Sequence, residues 1–151
     1  MTVSFFGHSQ IRFIGDYEEK LFKLLEKEVG NNSVDFYLGG YGDFDTFAYS
    51  CCKKYKAIHQ NATLIFVTPY ITDEYQRNHL RYYKDLYDAI VYPEIEKVPL
   101  RFCISVRNKW MVERSDIVIF GITRNFGGAY KSYVYAKQKK KRIFNILDKD
   151  I

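Results

Sequence analysis

Val34-Asp35-Phe36-Tyr37-Leu38-Gly39-Gly40-Tyr41-Gly42 is the stretch on which the fold turns. Its first five residues make an apolar, β-like run that stops at a glycine pair, and a helix-like run begins at Asp43. The same junction recurs downstream, where Ile117-Val118-Ile119-Phe120 leads through a short loop into Gly127-Gly128-Ala129 and a second helix-like run. Without a Cβ, glycine lets backbone N–H groups approach an anion closely and tolerates the tight turn from strand to helix. An anion placed there also meets the positive end of a helix macrodipole, about half a unit charge. Glycine is equally the default turn residue, so one such pair reads as a strand terminator. Two pairs in the same context shift the balance toward a phosphate-binding architecture.

Working outward, strands and helices alternate. Val3 to Phe6 reads as a first strand, and Tyr17 to Val29 as a helix in which Leu21, Leu24, Leu25 and Val29 form an i, i+3, i+4 stripe. Gly30-Asn31-Asn32 closes it. The second strand is Val34 to Leu38, and the second helix runs from about Asp43, a candidate cap, to His59. Thr63 to Val67 is a near-continuous apolar run of the kind buried on both faces of a parallel sheet. Beyond Thr68-Pro69 the reading is a helix from about Asp73 to Lys84, then a short strand or loop at Ile90 to Pro93. Ser105 to Ser115 is helical, Asp116 to Ile122 a strand, Ala129 to Lys140 a helix, and Ile143 to Ile146 the last strand. This alternation predicts an α/β, Rossmann-like three-layer sandwich with a mainly parallel sheet, in one domain over residues 1–151. Ligands of such sheets bind at the C-terminal strand ends near a topological switch point.

At 151 residues, 47% hydrophobic and 27% charged, the chain can bury a core without metal or disulfide staples. No apolar stretch approaches the ~20 residues of a membrane span, and the N-terminus lacks the pattern of a signal peptide, so a cytoplasmic protein is expected. Cys51, Cys52 and Cys103 show no metal or redox spacing and read as packing residues; no metal or cofactor is called for. The net charge of +5 draws much of its excess from Lys137, Lys139, Lys140, Lys141 and Arg142 at the end of a helix-like segment. Cations there complement the dipole, so a solvated cap is favoured over a nucleic-acid contact.

Phe5-Phe6-Gly7-His8-Ser9, Tyr37 to Gly42, Arg107-Asn108 with Met111, and Ser115 to Ile119 followed by Gly127-Gly128 resemble the ordered motifs of the SLOG superfamily. These Rossmann-like domains include the Lonely Guy phosphoribohydrolases and the DNA-processing protein A domain. Gly39 to Asp45 is similar to the Gly-Gly-Tyr-Gly-x-Phe-Asp signature of a bacterial and phage branch. The resemblance implies a pocket for a nucleotide or nucleotide-derived ligand. Gly7, His8 and Ser9 would line one side, Gly39, Gly40 and Gly42 would supply backbone donors, and Gly127, Gly128 and Ala129 would hold phosphate. It also implies an active-site role for Arg107, places Asn108 where the phosphoribohydrolases carry lysine, and suggests a homo-oligomer.

Those enzymes have a Glu where this chain has Val134, and N-glycosidic cleavage needs a carboxylate. Asp45 and Glu113 are the candidate substitutes, with Arg107 beside them. An acid in the first turn of a helix is also favoured by the dipole, so capping and ligand contact both stand for Asp45. Glu113 reads as a surface or salt-bridged helix residue, and His8 as a donor to phosphate or ribose or else a satisfied loop histidine. The favoured function is a nucleotide sensor or binding module; the alternative is an N-glycosidase or transferase with a relocated carboxylate.

Overall fold

The computed structural model describes residues 1–13 and 16–148. Six strands form one sheet in which every pairing is parallel: β1 (Thr2–Gly7), β2 (Val34–Leu38), β3 (Ala62–Val67), β4 (Ala89–Val91), β5 (Ile117–Gly121) and β6 (Arg142–Asn145). The spatial order is β4-β3-β2-β1-β5-β6. The chain therefore builds outward from β1 to one edge, then returns to the other side of β1 to start β5. That reversal opens a crevice beyond the C-terminal ends of β1 and β5, where open α/β sheets take ligands.

Two apolar layers cover the sheet. On one face α1 (Tyr17–Glu28) and α2 (Asp43–Ile58) bury Leu21, Leu25, Phe44 and Tyr55 against Val3, Phe5 and Phe36. On the other, α5 (Cys103–Arg114) and α6 (Gly128–Gln138) bury Met111, Val112 and Ala136 against Val118 and Phe120. Strands sandwiched this way must be apolar on both sides, and all five residues of β5 are buried.

The segment expected as one helix from Asp73 to Lys84 is a continuous helical run made of α3 (Asp73–Tyr75), a π-helical turn (Gln76–Leu80) and α4 (Arg81–Tyr83). The ambiguous stretch near Ile90 is the edge strand β4. A 3-10 turn, Leu100–Phe102, precedes α5. Asp43 does not cap its helix. Gly42 is the cap, at φ 90°, and the Asp43 carboxylate instead accepts from the Ile11 amide at 2.9 Å. The three cysteines are buried and free, as packing residues should be. Among the described residues no helix is long and apolar enough to cross a membrane.

Gly7 and Gly121 are register partners on neighbouring strands, and the Phe44 ring of α2 fills the space over both. A Cβ on Gly121 would stand 2.3 Å from that ring, and one on Gly7 2.1 Å. Gly121→Ala should therefore cost about 1–3 kcal/mol through overpacking, read as a lowered urea midpoint. Phe44→Leu in the same chain should recover part of the loss. An unchanged midpoint would show that the ring moves aside freely.

Candidate functional site

The crevice at the switch point is a cleft of ≈ 280 Å³. The end of β1 delivers Gly7, His8 and Ser9 to it, and the turn after β2 delivers Gly39. Asp45 enters from the first turn of α2, Arg107 and Asn108 from α5, and Gly127, Gly128 and Ala129 from the start of α6. The sequence motifs thus converge from five segments.

Arg107 is the most constrained of these. It is only 5% exposed, and burial opposes its charge, with Asp45 the largest opposing influence. Nη1 donates to the carbonyls of Val67 at 2.7 Å and Gly39 at 3.3 Å, and Nε donates to Asn108 Oδ1 at 2.9 Å. Among the described residues Nη2 has no acceptor. An arginine fixed by three bonds, with one amino group left over at a cleft, is preorganised for an anion.

Asp45 is half-buried, and its Oδ2 accepts from the Tyr41 amide at 2.9 Å. Burial pushes its carboxyl up to about 6, against the pull of that amide and of Arg107. A Cβ on Gly39 would lie 3.2 Å from both Arg107 Nη2 and Asp45 Oδ2. Glycine at 39 is what lets these two groups flank the chain.

The two glycine pairs differ. At the N-terminus of α2 the Asp43 amide donates to Ser9 O at 2.9 Å and the Phe44 amide to His8 O at 3.3 Å. The first two amides of that helix are thus taken by the protein. Gly40 and Gly42, expected to supply donors to a ligand, lie outside the cleft lining. They are glycines because φ is +68° and +90° and because a Cβ would meet Phe66 or the Ser9 backbone at 2.5 Å. At α6, by contrast, no acceptor among the described residues takes the amides of Gly128, Ala129 or Tyr130. Gly127 has φ +93°, whereas Gly128 has an ordinary φ and open space where its Cβ would be. Among the described residues nothing crowds a side chain at 128.

His8 is bonded as a loop histidine. Nε2 accepts from the Thr123 amide at 2.9 Å and the Arg124 amide at 3.3 Å, so the proton sits on Nδ1. Burial, then the charge of Arg124, lowers its pKa. Asn145 continues the clamp, accepting from Ile122 N at 3.1 Å and donating to Ile122 O at 2.9 Å. Together they fix the loop that carries Arg124 and Phe126 to the mouth. Phe126 and Tyr41 are 62% and 74% exposed there, and the Arg124 guanidinium lies 5.3 Å from the Phe126 ring. Sequence reading missed Tyr41, Arg124 and Phe126, because an exposed loop side chain carries no periodic signal.

Glu113 is outside the cleft: its carboxylate accepts from Tyr135 Oη on the outer face of α5 and α6. Trp110 is also elsewhere, stacked on Tyr37 at 5.6 Å. The basic tract lies at the far end of α6, where Arg142 pairs with Glu28 at 2.8 Å and Lys141 donates to Glu113 O at 2.9 Å. No cluster of metal-ligating side chains occurs among the described residues.

No protein-family model matches the chain, and no curated protein matches it. Among solved structures, DNA processing protein A from Helicobacter pylori, described for its single-stranded DNA binding mode, has a TM-score of 0.63 at 18% identity, over 96% of this chain and 64% of that one. DNA processing protein A from Streptococcus pneumoniae gives 0.65 at 15% identity, over 95% and 49%. The molybdenum cofactor carrier protein from Chlamydomonas reinhardtii gives 0.56 at 14%, over 94% and 73%. The chain thus spans less than two thirds of either DNA processing protein, and what these likenesses establish is the shared fold.

Proposed function

From the SLOG-type Rossmann-like fold of this chain we infer that its cleft binds a nucleotide or nucleotide-derived ligand, as a sensor or binding module. One observation carries the reading: the free amides of Gly128 and Ala129 share a cleft with a buried Arg107 that has an amino group to spare. Phosphate fits that pair of features by charge and by geometry. Tyr41 and Phe126 at the mouth offer faces on which a base can stack. Of the structural neighbours, one is named for binding single-stranded DNA and another for carrying the molybdenum cofactor, which accords with a binding role. A cytoplasmic setting and a homo-oligomer belong to the same proposal.

Adenosine monophosphate should raise the melting temperature by several degrees, and adenosine by much less, because the phosphate contacts dominate. At ~100 times Kd, binding adds about 2.7 kcal/mol. Gly128→Val should erase the shift and leave the free protein folded, since its side chain projects into open space that the phosphate needs. Equal shifts with and without phosphate, or a Gly128→Val variant that binds normally, would refute the site.

A catalytic reading has one observation in its favour: of the candidate carboxylates Asp45 lines the cleft and carries a raised pKa, whereas Glu113 does not reach it. Asp45 would then replace the acid that Val134 cannot provide. Chromatographic detection of adenine and ribose phosphate after incubation with adenosine monophosphate, lost in Asp45→Asn and kept in Glu113→Gln, would establish it. Absence of product would leave binding as the function.

A further inference from the structure

The geometry points to a ligand with a pyrophosphate rather than a single phosphate, its second half seated in a basic groove between α5 and α6. This inference rests on the nucleotide-binding reading of the cleft. A second cavity of ≈ 240 Å³ adjoins the first and shares Ile104, Asn108 and Gly128 with it. The start of α6 is thus not the end of the site but a ridge between two chambers of similar size. The first chamber is near the lower bound for small-ligand pockets, about 300 Å³, so it suits one nucleoside phosphate and little more.

The second chamber's lining holds three cations, Arg101, Lys109 and Lys131, and no carboxylate. None of the three forms an ion pair among the described residues, although lysines elsewhere on this surface pair with Glu18, Glu19 and Asp88. Lys109 Nζ lies 5.4 Å from the centroid of the Tyr135 ring, and Glu113, one turn further along α5, is engaged by Tyr135 Oη. An unneutralised trio facing a cavity is an anion seat.

Asn108 stands on the ridge and its amide is oriented. Oδ1 accepts from Arg107 Nε at 2.9 Å, which leaves Nδ2 as a donor with no partner among the described residues. A phosphate held by Gly128 and Arg107 in the first chamber can therefore be followed by a second phosphate that meets Asn108 Nδ2 and then Lys109 and Lys131.

The test is calorimetric titration of the full chain with adenosine monophosphate, adenosine diphosphate and the dinucleotide NAD. Adenosine diphosphate or NAD should bind about tenfold more tightly than the monophosphate, and Lys109→Ala with Lys131→Ala should remove that gain while leaving monophosphate affinity unchanged. Monophosphate binding with no gain from the second phosphate overturns the inference and spares the cleft. A gain that survives the double variant also overturns it. Tighter, lysine-dependent binding of an oligothymidylate than of either pyrophosphate would assign the groove to a nucleic-acid strand instead. Binding of none of the three removes the cleft reading and the inference together.

Discussion

Arg107→Ala should lose at least ~30-fold in affinity for adenosine monophosphate and also weaken the free domain by about 2–5 kcal/mol. Both effects have the same origin. The guanidinium bonds Val67 O and Gly39 O, so its removal strands two inward-facing carbonyls at the ends of β3 and β2, each costing ~1–3 kcal/mol. It also withdraws the positive charge that favours Asp45 ionisation. Arg107→Lys separates the two effects. It keeps the cation but cannot serve two carbonyls, Asn108 and a ligand from one planar fork. Urea denaturation without ligand, paired with titration of the folded variants, checks both. A fully stable Arg107→Ala domain would mean that the observed bonds carry little weight, and undiminished affinity would place phosphate elsewhere.

Asp45→Asn should stabilise the free domain at pH 7.5 by about 2–3 kcal/mol. The carboxyl is raised from 3.8 to about 6, so the folded state binds its proton more tightly than the unfolded chain. Its contribution is fully present below about pH 4 and is lost as pH rises through about 6. Asparagine avoids that loss and can still accept the Tyr41 amide through its carbonyl. The gain should accordingly vanish at pH 4. His8 works in the opposite direction, since its pKa is lowered: its contribution is present above 6.5 and is lost as pH falls. Comparing wild type with the variant at each pH cancels the histidine. A destabilised Asp45→Asn at pH 7.5 would make the carboxylate a structural partner of Arg107.

The strands were legible because a strand covered on both faces must be apolar throughout, and Thr63 to Val67 and Ile117 to Phe120 have that character. Glycine pairs at strand ends located the cleft for the same local reason. What sequence could not show was which helix terminus is free. The amides of Asp43 and Phe44 are consumed by Ser9 O and His8 O, which belong to a segment far away in the chain. Gly40 and Gly42 therefore serve backbone conformation and packing, although their spacing is that of an anion loop. Glu113 is the surface helix residue it reads as, bonded by Tyr135 of α6, whereas Asp43 does not cap because the Ile11 amide takes its carboxylate. Phe126 is brought to the cleft mouth by the loop that His8 and Asn145 fix, a contact between segments distant in the chain.

The proposed binding mode puts phosphate on the first turn of α6 beside Arg107. Nuclear magnetic resonance titration of the isotopically labelled domain with adenosine monophosphate tests it directly, amide by amide. The largest shifts should fall on the backbone of Gly128 and Ala129 and on the Arg107 guanidinium, while the Asp43 and Phe44 amides, already bonded, barely move. Shifts confined to the tract from Lys137 to Arg142, with Gly128 and Ala129 unmoved, would contradict the account.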